Sequence, residues 1–410
     1  MNEATLQYVR QHADDDVRQL ALRGSRDAEV DLSLALRQIS GLQVARRKLP
    51  SWAAVEGLLF PPHLALEQCS SEPAALYKRS VCCDIVATAQ GGSSFIDLTG
   101  GFGIDFSFLT PLFDEATYVE RQEELCRLAR HNMPLLGLTA CHVVCADSAD
   151  VLPQLPHATL IFLDPARRDS HGGRTYAIGD CTPDVLALRD MLLDKADFVM
   201  LKLSPMLDWR KTVSDLGRQW VRQVHIVSVG GECKELLVVL SKEKGEGGLR
   251  LVCANDDDRF EITLPMRSVG AMAPIETTAS SDMSAPILPV PSSFLYEPNA
   301  SIMKAGCFAE LCRRYGVTMM APNSHLFLSG EPVVGFPGRS FRVEAVSTMN
   351  KKELKEKILP LRQASITVRN FPLSVAELRK RLKLSEGGSR YLFATTLANG
   401  DHVLIVCQRL

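Results

Sequence analysis

The sequence predicts an α/β protein. An open parallel sheet carries helices on both faces and closes on an antiparallel hairpin; a helical region precedes it and a small α+β module follows. Three observations carry this. Short apolar runs alternate with amphipathic stretches between residues 93 and 204, at spacings of about 20 to 30 residues, the β-α-β order of a parallel sheet. Two strand-like runs flank Gly230-Gly231 with no room for a crossover helix, so they pair antiparallel. The last 70 or so residues read strand, helix, strand, helix, hairpin and are strongly basic.

Residues 1 to about 80 read as helical, because apolar residues recur at three-to-four spacing in "LQYVRQHADDDVRQLALR" and "VDLSLALRQISGLQ". "SSFIDL" is then a strand, "GIDFSFLTPLF" a helix and "ATYVE" a strand. "RQEELCRLARHNMPLLGL" is a helix ending near Gly137, and "CHVVCAD" and "ATLIFLD" are strands. "TPDVLALRDMLLDKA" is a helix with Pro183 in its first turn, and "DFVMLKLS" a strand. "MAPIETTASSDMSAPILPVPSSF", rich in Pro, Ser and Ala, reads as a linker. "SIMKAGCFAELCRRYG" reads as one amphipathic helix. In the C-terminal module "SFRVEAVS" and "ASITVRN" are strands, and "KKELKEKIL" and "SVAELRKRLKL" are helices. "RYLFATTL" turns at Asn399-Gly400 into "HVLIVCQ". The division expected is 1–80, helical; 81–268, the α/β domain; 286–336, a small linking segment; 337–410, the basic module.

The chain has 410 residues, 46% apolar and 23% charged, an ordinary globular composition of more than one domain. No run reaches the roughly 18 to 20 apolar residues of a membrane helix, and the start lacks a signal pattern. Twelve cysteines without a Cys-x-x-Cys suit a reducing cytoplasm better than a disulfide framework. Cys141, His142 and Cys145 are the nearest approach to a metal cluster, but alternation in a buried strand favours packing, so no metal is expected. The net charge is −2, yet residues 339–410 hold 14 Lys and Arg against 6 Asp and Glu, a net of +8. A basic module on an acidic body points to a polyanionic partner, with a solvated helix face as the alternative.

The stretch "DLTGGFGID" is a strand, glycine turn and helix. A dinucleotide fingerprint would place a third small residue at Phe106. Asp97 and Asp105 bracket the turn and would repel a pyrophosphate, so a cationic ligand suits it better. Glu120 ends the second strand, Asp147 the third and Asp164 the fourth. One acid at the carboxyl edge of each of four successive strands marks a ligand site, although single acids there often only cap helices.

These residues carry a resemblance. "DLTGGFGID", "YVERQEELCRLARHN", "CADS" and "FLDPARRD" resemble class I S-adenosylmethionine-dependent methyltransferases, and within them a small-subunit rRNA guanine-N2 methyltransferase. The whole chain resembles bacterial THUMP-like-domain methyltransferases with a small ferredoxin-like piece, here 286–336, before the C-terminal module. The resemblance implies a Rossmann-like sheet of seven strands with an antiparallel terminal hairpin. It implies S-adenosylmethionine as cofactor. Asp97, Thr99, Gly101, Gly103 and Asp105 would surround its methionine part, Glu120 its ribose and Asp147 its adenine. Gln68, Ser70 and Ser71 in "LEQCSSEPAALYK" would close over it, or only cap the helix starting near Glu72.

Asp164, Pro165 and Arg167 would then form the catalytic motif, with the second proline and the aromatic of the amino-methylating pattern replaced by Ala166 and Arg167. No cysteine stands beside Leu203-Ser204-Pro205, which disfavours carbon-5 pyrimidine methylation. Lys202, Ser204 and Pro205 would border the acceptor, with Tyr296 or Asn299 as further candidates. The C-terminal module resembles THUMP-like domains, which deliver structured RNA. Arg339, Arg342, Lys351, Lys352, Lys355, Arg379, Lys380, Arg381 and Lys383 would face phosphates. The expectation is methylation of a base nitrogen in tRNA or rRNA. A small-molecule or protein methyltransferase, and a cofactor-binding RNA-binding protein without catalysis, remain open beside it.

Overall fold

The computed structural model describes residues 1–25, 27–87, 92–167, 178–243, 247–265 and 289–410, with 63–65 and Arg167 described in backbone only. Most of the linker expected around 272–294 and the side chains of Arg167 and Arg168 lie outside the described residues. The chain forms two compact units. The first holds the described residues up to Val229, those of Lys234–Arg250 and residues 263–265; the second holds Gly230–Cys233, Leu251–Ile262 and the described residues from 289.

The main sheet has strands β1 (Ser94–Asp97), β2 (Glu115–Glu120), β3 (Cys141–Cys145), β4 (Ala158–Leu163), β5 (Ala196–Leu203), β6 (Val221–Val229) and β7 (Glu232–Leu240). Two more, β8 (Leu249–Asn255) and β9 (Asp258–Leu264), complete the order β9-β8-β6-β7-β5-β4-β1-β2-β3. The sheet therefore has nine strands rather than the expected seven. The addition is a hairpin whose alternating apolar residues reverse at Asp256-Asp257. β1 pairs parallel with β2 and β4, β2 with β3, and β4 with β5. β7 enters antiparallel beside β5. Gly230 and Gly231 both adopt positive φ, +61° and +78°, which a two-residue hairpin turn demands at its two central positions.

Burial follows position. Every residue of β4 is buried, as expected for a central strand covered on both faces. β3 is an edge strand and only half-covered. Cys141 is partly buried and Cys145 exposed, so the packing role expected of this cysteine pair holds for neither in full. Among the described residues no group of His, Cys, Asp or Glu could hold a metal, and no helix is long and apolar enough to cross a membrane. The helix Val185–Lys195 is capped by Asp184, whose Oδ1 accepts the N–H groups of Leu186 and Ala187, both at 3.1 Å. Pro183 thus precedes the cap rather than sitting in the first turn.

The N-terminal region is helical as expected, from Glu3–Gln11 to Glu72–Val86. It is not a separate body. Trp52, Phe60 and Leu66 pack with Phe102 and Ile104, and Trp52 Nε1 donates to Ser107 Oγ at 3.1 Å. The helices therefore brace the turn and helix that follow β1.

The second unit has its own sheet: β10 (Phe294–Pro298), β11 (Thr318–Met319), β12 (Phe327–Ser329), β13 (Gly338–Thr348), β14 (Ser365–Arg369), β15 (Arg390–Thr396) and β16 (His402–Arg409). Their order is β11-β12-β10-β13-β16-β15-β14. The two pieces expected over 286–336 and 337–410 thus share one sheet, joined where β10 pairs antiparallel with β13. The single helix expected over 301–316 is two, Ala300–Ala305 and Phe308–Tyr315, broken at Gly306 with φ +67°. Leu378, Leu382 and Ile358 from the later helical segments pack with Leu392, Leu404 and Val406 of the sheet. Leu295, Phe341, Phe393 and Ile405 form a separate cluster.

Candidate functional site

The carboxyl edge of β1, β2, β4 and β5 lines a cavity of about 800 Å³ in the first unit. Of the residues anticipated there, Gln68, Ser70, Asp97, Thr99, Gly101, Gly103, Asp105, Glu120, Asp147, Asp164, Pro165, Lys202, Ser204 and Pro205 all line it. Parallel strands place their ends at one edge, so acids 23 to 67 residues away from Asp97 in sequence meet in space.

The glycine turn is crowded at two of its positions. A Cβ at Gly100 would lie 2.2 Å from the Tyr118 ring, and one at Gly103 would lie 2.4 Å from Met133 Cε. Gly101 and Gly103 also have φ of +54° and +87°. Tyr118 OH donates to the Gly101 carbonyl. Gly101 N–H donates to Glu120 Oε2 at 3.0 Å, and Gln122 N–H to Oε1 at 2.8 Å. The Glu120 carboxylate is thereby fixed and buried, with lone pairs left on both oxygens for a vicinal diol. Asp147 is exposed and caps its helix through Oδ1, which accepts from Ala149 N–H at 2.9 Å.

Asp97 is only 1% exposed and has no cationic partner among the described residues. Its Oδ1 accepts Thr99 N–H at 2.9 Å and Thr99 Oγ1 at 3.4 Å. Burial pushes its carboxyl well above the usual range; the Thr99 bond opposes this, and Asp105, Asp164 and Glu120 add to it. A buried carboxylate without a counter-charge fits a cationic ligand.

Asp105 differs. Burial would raise its carboxyl, but Lys78, then Lys202, and a hydrogen bond from Ser70 outweigh that and hold it low. Ser70 Oγ donates to Asp105 Oδ2 at 2.7 Å, and Lys78 Nζ stands 3.2 Å from Oδ1. Lys78 is fully buried and donates to both oxygens of Glu235, at 2.8 and 2.7 Å. Burial raises the Glu235 carboxyl, against the pull of Lys78. Lys202 closes the chain: its Nζ donates to Asp164 Oδ2 and lies 3.8 Å from Asp105 Oδ2. Burial alone would lower the Lys202 ammonium, yet Asp164, Asp105 and Glu235 push it far up, so it stays charged. Sequence reasoning missed Lys78 and Glu235.

Tyr296 and Asn299 lie in the second unit. Tyr296 is buried with its hydroxyl accepting Val333 N–H at 2.7 Å, and Asn299 Oδ1 caps a helix through Ile302 N–H at 3.2 Å. Arg339 and Arg369 both grip Glu297, so Arg339 is not a free phosphate ligand. Arg379 is partly buried. Arg342, Lys351, Lys352, Lys355, Lys380, Arg381 and Lys383 are exposed.

Residues 338–409 match the model of a THUMP domain-like family, and residues 294–337 match a ferredoxin-like domain. A solved structure from Porphyromonas gingivalis W83, assigned to the methyltransferases, shares 34% identity over 99% of this chain and 97% of its own, at a TM-score of 0.83. The chain belongs to the methyltransferases. The glycine turn, the clamped Glu120 and the uncompensated Asp97 fit a cationic, ribose-bearing cofactor such as S-adenosylmethionine. More distant overlaps include a structure from Listeria monocytogenes assigned to class I methyltransferases, 10% identical over 62% of this chain and 93% of its own, TM-score 0.39. Another, from Streptococcus mutans and solved in complex with SAH, is 15% identical over 40% of this chain and 97% of its own, TM-score 0.31. No curated protein matches.

Proposed function

We propose that this methyltransferase modifies a base nitrogen of structured RNA, tRNA or rRNA. The observation that carries the reading is the set of exposed basic residues on the helical segments of the THUMP-like region. Lys351, Lys352, Lys355, Lys380, Arg381 and Lys383 have no carboxylate partner among the described residues, unlike Arg339 and Arg369. Exposed cations without carboxylate partners suit a phosphate backbone, because each phosphate they neutralise releases condensed counterions.

In the first unit, Glu120 would hold the ribose hydroxyls and Asp147 the adenine amino group. Asp97, Thr99, Gly101 and Gly103 would surround the methionine part, with Gln68 and Ser70 beside it. Asp105 would act through its ion pairs with Lys78 and Lys202 and its hydrogen bond from Ser70. When bound, the cofactor supplies a methyl group made electrophilic by its sulfonium. Asp164 and Pro165 would position the acceptor nitrogen, and Asp164 Oδ1, which has no partner among the described residues, would take its proton.

Filter binding of tRNA over a salt series tests the reading. Substitutions serve better than truncation, because a cut at 339 would remove most of the second unit's sheet. Replacing Lys380, Arg381 and Lys383 with Glu should weaken RNA binding and flatten the salt slope by about 0.7 to 0.9 for each phosphate no longer neutralised. Cofactor affinity should not change. Equal RNA affinity and equal slope in both proteins would refute the RNA reading.

A further inference from the structure

Lys202 and Asp164 meet at the ends of adjacent strands. Leu163 and Leu201 are register partners on β4 and β5, so the next residue of each strand end enters the cavity side by side. Lys202 Nζ engages Asp164 Oδ2 and stands 3.8 Å from Asp105 Oδ2. An ammonium has three donors, and two face these carboxylates. The third has no partner among the described residues. Asp164 likewise keeps Oδ1. The acceptor end of the cavity therefore offers one hydrogen-bond acceptor and one charged donor, next to each other.

Resting on the RNA reading, we propose that Lys202 determines the acceptor: its ammonium donates to a ring nitrogen of the base while Asp164 Oδ1 accepts from the exocyclic amino group beside it. An amino group next to a ring nitrogen is an edge found on adenine, cytosine and guanine. A lactam edge, such as that of uracil, also offers N–H beside an acceptor, but its nitrogen has no available lone pair until the proton is gone. A carboxylate is a far weaker base than a lactam anion and cannot remove that proton first. It suffices for an amino nitrogen, which becomes strongly acidic as it gains the methyl. One N–C bond forms for the carbon–sulfur bond that breaks, the sulfur keeps the electron pair, and the displaced N–H proton passes to Asp164 Oδ1. The charged groups around this pair are Asp97, Asp105, Glu235 and Lys78. The attraction of Asp164, Asp105 and Glu235 keeps Lys202 a donor and excludes it as the base.

The test uses the full chain, tritiated S-adenosylmethionine and total RNA from cells lacking the gene, with nucleoside mass spectrometry of the product. Wild-type protein is compared with Lys202→Met and Lys202→Gln, and calorimetry with S-adenosylhomocysteine reports whether each variant keeps a formed cofactor site. The expected wild-type product is a base methylated on its exocyclic nitrogen. Lys202→Met should lower kcat/KM for RNA about 10- to 150-fold, the loss of one hydrogen bond to a charged group, with cofactor affinity nearly intact. Lys202→Gln keeps a donor and should lose less; if the Met variant fails to bind cofactor, the Gln variant decides alone. A folded variant with undiminished kcat/KM overturns the proposal, as does a methyl group on a lactam nitrogen, a carbon or a ribose. Those results would leave the RNA reading standing. No transfer to any RNA by the wild type would instead overturn that reading, and this proposal with it.

Discussion

Glu120 gives the sharpest test of the cofactor site. Its carboxylate is 8% exposed and anchored by two backbone N–H groups, from Gly101 at 3.0 Å and Gln122 at 2.8 Å. Glu120→Ala removes the acceptor for the ribose hydroxyls and leaves those two N–H groups without their partner. Losing hydrogen bonds to a charged group costs about 1.5 to 3 kcal/mol each, so one lost ribose bond alone weakens the cofactor about 10- to 150-fold. The two orphaned N–H groups act on stability instead, at about 1 to 3 kcal/mol each where water cannot reach them. Gly101 carries φ +54°, and freeing its N–H loosens the glycine turn as well. Glu120→Gln keeps one carbonyl acceptor and should fall between wild type and Ala. Calorimetry with S-adenosylhomocysteine reads the affinity, and urea unfolding reads the stability. A folded Glu120→Ala protein with wild-type affinity would show that Glu120 only ties the turn, and the ribose assignment would be wrong.

Three further outcomes follow from the same cavity. Because Asp97 is held above the usual carboxylate range, its contribution to the stability of the free protein is complete below that range and is lost as pH rises through the raised value. A cationic ligand needs the ionised form, so cofactor affinity should rise with pH over the same window, by up to about tenfold per unit, with a proton released; calorimetry in two buffers of different ionisation enthalpy that detects no proton release would contradict this. Lys78→Met strands Glu235 and Asp105 as buried carboxylates and should cost about 3 to 5 kcal/mol in urea unfolding, partly recovered by Lys78→Met with Glu235→Leu. Asp164→Ala should leave calorimetric cofactor affinity nearly intact, because Asp164 meets Lys202 rather than the adenosine contacts; loss of binding would make Asp164 a cofactor ligand.

The sheet and its edge are legible in the sequence because their signals are local. Each of Asp97, Glu120, Asp147 and Asp164 follows a short apolar run, and a parallel sheet gathers such ends without further information. Lys78 and Glu235 are not legible. They lie 157 residues apart, on a helix and on a hairpin strand, and nothing in either stretch marks the other as its partner. The same holds for Glu297, whose two arginines lie 42 and 72 residues away. The β8-β9 hairpin, absent from the expected seven strands, does carry a signal: alternating apolar residues about an Asp256-Asp257 turn. Gly306 does not show as a break because helical spacing continues on both sides of it; the positive φ that ends the helix has no counterpart in the hydrophobic pattern. Cys145 lies in a strand of plausible core composition, but which strand takes the sheet edge is decided by pairing, not by composition.

Methylation of a base nitrogen in RNA is the proposal on which the rest depends. The most direct measurement is nucleoside mass spectrometry of purified tRNA and rRNA from cells with the gene, without it, and without it but carrying either the wild-type gene or Asp164→Ala. One N-methylated nucleoside should disappear on deletion, return with the wild-type gene and stay absent with Asp164→Ala. An unchanged set of modified nucleosides across all four strains would contradict it.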